Sequence, residues 1–77
     1  MLLKIISPVA EVLSAEVESV ELPGTKGRFE VLQGHAALIS SLERGKIVYK
    51  VHGKVESVAV NSGFVEVSDN VITVCIE

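Results

Sequence analysis

The chain has 77 residues, which allows one small domain. Hydrophobic residues make up 48% of it, so the chain is not disordered, and no apolar run approaches the ~18 residues of a membrane-spanning helix. The formal net charge of -3 argues against nucleic acid as a ligand, and the single cysteine excludes an internal disulfide. Valine and isoleucine dominate the apolar residues, and such β-branched side chains favour an all-β fold.

The predicted elements begin with a strand over residues 1–8. Lys4 lies inside this segment, whose apolar part is too short for a signal peptide, so we expect it to belong to the folded domain. The stretch Pro23–Gly27 is the longest one rich in glycine and is predicted to be a loop. The segment Ala36–Leu42 is predicted to be a strand, because its isoleucine and two serines are mediocre helix formers.

The clearest strand pattern follows Gly45, and it predicts one buried and one solvated face. Its positions alternate, with Ile47, Tyr49 and Val51 on one face and Lys46, Lys50 and His52 on the other. A turn at His52–Gly53 predicts a hairpin with residues 54–60. A second turn at Asp69–Asn70 predicts that residues 71–76 pair with residues 64–67.

Two runs are apolar on both faces, Val58–Val60 and Val71–Ile76. Strands of this composition are usually covered on both sides, so we expect a second sheet, a loop or another subunit over them. Cys75 lies in the second run and is predicted to be a small side chain of the core.

No residue pattern indicates an active site or a metal site. Nucleophilic catalysis needs a nucleophile, a base and an orienting acid, and no local motif brings such residues together. The candidates are scattered along the chain: Ser40, Ser41, Cys75, His35, His52 and Asp69. A structural zinc site needs four ligands, which these residues do not supply at paired spacing. We therefore expect no cofactor and no catalytic role.

Lys26 supports an alternative function. The glycines around it do not have the spacing of a phosphate-binding loop. A lysine at a glycine-flanked tip can instead carry a covalent group, as in small β-sandwich lipoyl domains. The alternative is thus a carrier domain modified on Lys26, and a third, weaker one is a small hydrolase that uses His35.

The segment LPGTKGRFEVLQGHAALI, residues 22–39, resembles the signature of the epsilon subunit of F-type ATP synthases. That signature reads approximately L-P-G-x-x-G-x-F-G-V-L-P-G-H-A-P-L. The resemblance continues through LERG at residues 42–45, SGFVEV at 62–67 and NVITV at 70–74. These matches occur in order and at the family's spacing over nearly the whole chain.

The resemblance implies a ten-stranded β-sandwich, or flattened barrel, spanning residues 1–77 as the N-terminal domain of that subunit. It also implies a non-catalytic rotor subunit of the central stalk of a bacterial enzyme. Such a subunit packs against the gamma subunit and rests on the ring of c subunits. It helps to couple ion flow to ATP synthesis, and it lies peripherally at the cytoplasmic face of the inner membrane without inserting into it.

The family's contacts fall on particular residues of this sequence. The resemblance assigns His35 to the gamma contact, and the loop from Thr25 to Gln33, with Lys26, Arg28 and Glu30, to the c-ring contact. The family often has glutamate at the position of Arg28 and glycine at that of Glu30. If residues 28–32 are extended, both side chains share a face, and we expect that Glu30 has taken over the acidic contact.

Two further departures concern the loop around His35 and the end of the sequence. Gln33 and Ala37 replace prolines of the family pattern, so the loop is less constrained in φ. The family commonly continues into a pair of C-terminal helices. No helical period is present here, so we expect no C-terminal helical hairpin and no self-inhibitory arm.

Overall fold

A computed structural model describes all residues from Met1 to Glu77. It contains nine strands and no helix. The strands are β1 (Leu2–Ile6), β2 (Glu11–Glu16), β3 (Ser19–Gly24), β4 (Gly27–Leu32), β5 (Leu38–Leu42), β6 (Gly45–Val51), β7 (Lys54–Val60), β8 (Gly63–Ser68) and β9 (Val71–Ile76). The all-β prediction is confirmed, with nine strands in place of the expected ten. Residues 33–37 join β4 to β5 without forming a ladder of their own.

The strands form one curled sheet in the order β2-β1-β9-β8-β5-β3-β6-β7, with β4 also paired to β3. A single residue pair, Gly24 with Leu42, joins β3 to β5. The curl at this junction divides the sandwich into a five-stranded layer, β2-β1-β9-β8-β5, and a four-stranded layer, β4-β3-β6-β7. All neighbours are antiparallel except β1 and β9, which run parallel.

The core lies between the inner faces of the two layers. It contains 14 buried apolar residues, and no buried residue is polar or charged. The strand period of two explains the selection, since alternate side chains point to opposite faces. The members are Leu3, Ile5, Val17, Val20, Leu22, Val31, Leu42, Ile47, Tyr49, Val60, Val65, Val67, Ile72 and Val74.

Strand β6 has the predicted alternation. Ile47 and Tyr49 are buried, whereas Lys46 and Lys50 are exposed. Both predicted hairpin turns are present as two-residue loops, at His52–Gly53 and at Asp69–Asn70. Their central residues all have positive φ, from 50 to 78°, which matches the right-handed twist of the flanking strands.

The prediction of a loop over Pro23–Gly27 is wrong. Pro23 and Gly24 are buried residues of β3, and the connection to β4 is only Thr25–Lys26. A Cβ on Gly24 would lie 2.7 Å from the Gly27 carbonyl oxygen and 2.9 Å from Phe29 Cε1. The glycine therefore permits close approach of two strands, and here it does not mark a loop.

The expectation that a second sheet or a loop covers the outer side of the two apolar runs is also wrong, and cover by another subunit stays a prediction. Strand β7 pairs only with β6, and Ala59 is exposed. In β9, Ile72 and Val74 face the core, while Cys75 is half-buried on the opposite, outer face. Cys75 is thus not a core residue, because alternate side chains of a strand point to opposite faces and the core residues Ile72 and Val74 occupy the other face.

Candidate interaction surfaces

The two histidines lie on different connections of the fold, His35 before β5 and His52 in the turn between β6 and β7. The structure brings no three His, Cys, Asp or Glu residues together in a geometry that could hold a metal ion. No helix is long enough and apolar enough to cross a bilayer. The candidate sites described below are surfaces, and the strand ladders determine which residues they combine.

The outer face of the five-stranded layer carries an apolar stripe. Ladder pairing places Phe64 of β8 beside Cys75 of β9, and Cys75 beside Ile6 of β1. Ile39 of β5 lies one row further along the same face, and the residues beside it in that row are Glu66, Thr73 and Lys4. Phe64 is 57% exposed and Ile39 is 77% exposed. We call Ile6, Ile39, Phe64 and Cys75 the apolar face.

An open groove of about 670 Å³ lies at one end of the apolar face. Gly63 lies in its wall, and a Cβ there would collide with the Cys75 carbonyl oxygen, so the close approach of β8 to β9 at this point requires glycine. On the other side, the Ser7 hydroxyl accepts hydrogen bonds from the N–H groups of Val9 and Ala10, which fixes the turn after β1. The groove is lined by Ile6, Ser7, Pro8, Gly63, Phe64, Cys75, Ile76 and Glu77.

A second groove, of about 350 Å³, lies at the other end of β5 and β8. Its lining residues are Ala37, Leu38, Ile39, Glu66, Val67 and Ser68. Ile39 belongs both to this groove and to the apolar face. The two grooves therefore extend the apolar face from the turn after β1 to the segment that precedes β5.

His35 is exposed in that segment, and its hydrogen bonds are local. Its Nδ1 lies 2.8 Å from the Ala36 carbonyl oxygen, and its main-chain N–H donates to the Leu32 carbonyl at 3.1 Å. The neighbouring Gly34 N–H donates to Oδ1 of Asn70 at 2.7 Å. The segment is thus tied to the β8–β9 turn, and the exposed His35 lies two residues before Ala37, which lines the second groove.

Lys26 lies at the exposed tip of the β3–β4 hairpin. Thr25 fixes this tip to the end of β5, because its hydroxyl lies 2.7 Å from the Ser41 hydroxyl and its N–H donates to the Ser41 carbonyl at 3.1 Å. His35 lies three residues before Leu38, the first residue of β5. The structure therefore places Lys26 and His35 at opposite ends of β5 and does not bring them together.

Arg28 and Glu30 share the exposed face of β4, as predicted, while Phe29 is half-buried and Val31 is buried. The expected loop over residues 25–33 is mostly this strand. Its geometry confirms that the two charged side chains point the same way.

Sequence reasoning missed the partners of Arg28. Its Nε donates to Glu21 Oε1 at 3.1 Å, and its Nη2 donates to the Lys46 carbonyl at 2.7 Å. Glu30 lies opposite Glu21 in the ladder and makes no ion pair. A two-residue turn at Thr25–Lys26, had it been recognised, would have placed Glu21 diagonally across from Arg28. The contact to Lys46 depends on the pairing of β3 with β6 and has no local signal.

The fold and these surfaces define a small all-β sandwich module. Residues 1–77 match the family model described as the ATP synthase, Delta/Epsilon chain, beta-sandwich domain. The chain therefore belongs to this family.

Curated relatives and solved structures agree with this assignment. The chain is 53% identical over 72 residues to the ATP synthase epsilon chain of Desulfitobacterium hafniense, covering 94% of this chain and 54% of the relative. It is 45% identical over 75 residues to the epsilon chain of Nitratidesulfovibrio vulgaris, covering 97% and 56%. The chain thus spans about half the length of the curated relatives it matches.

Two solved assemblies contain a chain of the same fold. One is the Euglena gracilis mitochondrial ATP synthase, OSCP/F1/c-ring, with a TM-score of 0.88 and 23% identity over 96% of this chain and 48% of that chain. The other is the Tetrahymena thermophila mitochondrial ATP synthase, central stalk/c-ring, with a TM-score of 0.81 and 15% identity over 97% and 61%. At these identities the likeness establishes the fold.

Proposed function

We propose that this chain is the N-terminal β-sandwich domain of an epsilon subunit, a non-catalytic part of the central stalk of a bacterial F-type ATP synthase. In this role it links the gamma subunit to the c-ring and helps to couple proton or sodium translocation to ATP synthesis. It works peripherally, at the cytoplasmic face of the inner membrane. The family match over all 77 residues is the observation that supports the proposal most strongly.

The apolar face is the surface that we assign to gamma. Isolated exposed apolar residues are ordinary on protein surfaces, but a row of three, Ile6, Cys75 and Phe64, with a groove beside it and the exposed Ile39 nearby, is typical of an interaction site. A specific interface needs at least ~1,000 Å² of buried surface in total, about half of it from each partner. The chain exposes 4695 Å², so gamma would have to cover only a modest part of it. His35 lies at the edge of this surface, where it can contact the same partner.

The tip and outer face of the β3–β4 hairpin are the surface that we assign to the c-ring. Arg28 already binds Glu21 and the Lys46 carbonyl, so much of its charge is balanced within the domain. Glu30 makes no such bond. It therefore remains the free acid of this face, which supports the idea that it contacts a cationic loop of the ring. Lys26 lies beyond it at the tip.

A subunit that transmits torque must resist deformation between its two contact surfaces. The core supplies this stiffness, since packed interiors have low compressibility. The hairpin is also bonded directly to β5 and to the residue after it. In addition to the Thr25–Ser41 bonds, the Glu43 N–H donates to the Pro23 carbonyl at 2.9 Å. Force applied at the hairpin is thus passed to the five-stranded layer that carries the apolar face.

The test of the gamma contact uses Cys75, the only thiol of the chain and a member of the apolar face. The purified domain is mixed with gamma, and the rate of maleimide labelling at Cys75 is compared with and without it. We expect co-elution at micromolar concentration and slower labelling in the complex. A Ser57→Cys, Cys75→Ser variant, with its thiol on the exposed outer face of β7, is the matched control; once co-elution shows that it still binds gamma, it should label at an unchanged rate. Failure to co-elute, or equal protection of both thiols, would contradict the assignment.

The carrier alternative rests on the position of Lys26 at the tip of a two-residue hairpin, where a modifying enzyme could reach it. The family match speaks against it. Intact-mass measurement of the protein from its native cells decides between the two. We expect the unmodified mass, whereas a lipoyl or biotinyl increment on Lys26 would favour the carrier function.

A further inference from the structure

Strand β7 ends the four-stranded layer and has an unpaired edge. Residues that flank a two-residue turn form a hydrogen-bonded pair, and bonded pairs alternate along an antiparallel ladder. Val51 and Lys54 flank the turn. The N–H and C=O groups of Lys54 therefore point to β6, and those of Val55 and Ser57 point to the open side.

The first half of β7 also extends beyond the core. All four residues from Lys54 to Ser57 are exposed, whereas Val58 is half-buried and Val60 is buried. Val55, the apolar residue among these four, is 65% exposed. An added strand could therefore lie along this half without meeting the five-stranded layer. An exposed edge with an apolar residue is a ready template for pairing with another chain.

The charges of this half are self-complementary. In an antiparallel pair of two β7 strands centred on Val55, Lys54 of each copy faces Glu56 of the other. The two copies then exchange main-chain hydrogen bonds at Val55, and the Ser57 N–H reaches the Gly53 carbonyl of the second copy. The N–H of Gly53 is already held by Glu18 Oε1 at 2.8 Å, which keeps the turn in place.

The free edges of β2 and β4 lack this combination of an open edge and complementary unpaired charges. Both charged residues of β2, Glu11 and Glu16, are acidic, so no register of self-pairing brings opposite charges together. On β4, Arg28 is held by Glu21. Lys54 and Glu56, in contrast, take part in no ion pair within the chain. Opposite charges that face each other across strands stabilise the pairing.

We propose that the β7 edge binds the β7 edge of a second copy of this chain, in an antiparallel pair centred on Val55. This edge belongs to the four-stranded layer and is distinct from the apolar face, while the Val55 side chain lines a shallow groove together with Glu21 and Glu30 of the β3–β4 hairpin. Its contact area is small, so the dimer is weak, with a dissociation constant in the high-micromolar to millimolar range.

Sedimentation equilibrium of the purified chain, at concentrations up to about 1 mM, tests this proposal. Glu56→Lys places like charges together in two symmetric pairs and should weaken the dimer at least roughly fivefold. Lys54→Glu should do the same. The double variant Lys54→Glu, Glu56→Lys restores both pairs and should return the dissociation constant to within about twofold of the original. Glu66→Lys makes the same change of charge on the outer face of β8 and is the matched control.

A second perturbation tests the main-chain pairing. Val55→Pro removes an N–H that points to solvent, so the ladder with β6 is kept and the dimer should be lost. Thermal unfolding by circular dichroism verifies that each variant is folded. A chain that stays monomeric at about 1 mM overturns the proposal. So does a dimer that the charge-swapped double variant does not restore, or one that is weakened equally by Glu66→Lys.

Discussion

Phe64 gives the sharpest test of the apolar face. A phenylalanine side chain buries roughly 200 Å² when fully covered, and 57% of Phe64 is exposed. Covering that fraction removes roughly 115 Å² from water, which at ~25 cal/mol per Å² is worth up to about 3 kcal/mol. We therefore expect Phe64→Ala to weaken gamma binding by up to about 100-fold. Because the side chain points away from the core, stability should change by less than about 1 kcal/mol.

Isothermal titration of gamma into the wild type and Phe64→Ala measures the affinity, and urea unfolding measures the stability. Val55→Ala is the matched control, since Val55 is 65% exposed on the opposite layer. It should leave gamma binding unchanged. If both variants weaken gamma equally, or if neither does, the apolar face is not the gamma surface. A large loss of stability in Phe64→Ala would mean that its effect on binding is indirect.

Three further predictions address the core and the charged surface. Gly24→Ala forces a Cβ against the Gly27 carbonyl and should lower the free energy of urea unfolding by about 1–3 kcal/mol. Glu30→Lys should reduce the proton-pumping efficiency of the assembled enzyme in a salt-dependent way. If Glu30→Lys leaves coupling unchanged and Arg28→Glu disrupts it, Arg28 is the contact instead. His35→Ala should lower gamma affinity more than melting temperature, whereas equal losses would assign His35 only the local bonds of its loop.

Local chemistry made much of the fold predictable from the sequence. The alternation of Ile47 and Tyr49 with lysines identified β6 and its buried face, because the strand period is a property of a single segment. The turns at His52–Gly53 and Asp69–Asn70 were equally local, since residues that tolerate positive φ indicate where a hairpin closes. The family assignment likewise depended on the order and spacing of short motifs.

The glycine-rich segment shows where this reasoning failed. Glycine is common both in loops and where two backbones approach closely, and the sequence does not distinguish these cases. Gly24 is of the second kind, because its neighbour across the turn is Gly27 and the Phe29 ring packs over it. Pro23 is likewise buried in β3.

For the candidate surfaces, the sequence supplied residues and the tertiary structure supplied their grouping. Extended geometry alone placed Arg28 and Glu30 on one face. Arg28 is bonded within the domain, whereas Glu30 is not. The partners of Arg28, Glu21 and the Lys46 carbonyl, come within reach of it only because β3 pairs with both β4 and β6. The separation of Lys26 from His35 by the length of β5 was also invisible in the sequence, because ladder register is a non-local property.

The apolar face shows the same division. A period of two separates the residues of β9 into two sets, and because Thr73 is the only polar residue among the six, the sequence barely distinguishes the set that the core covers. The topology decides it. Ile72 and Val74 face the other layer, and Cys75 joins Phe64 and Ile6 on the surface, because β9 lies between β1 and β8 in this register. The sequence by itself determined strands, turns and family, whereas only the folded sheet determined which apolar side chains remain exposed to bind a partner.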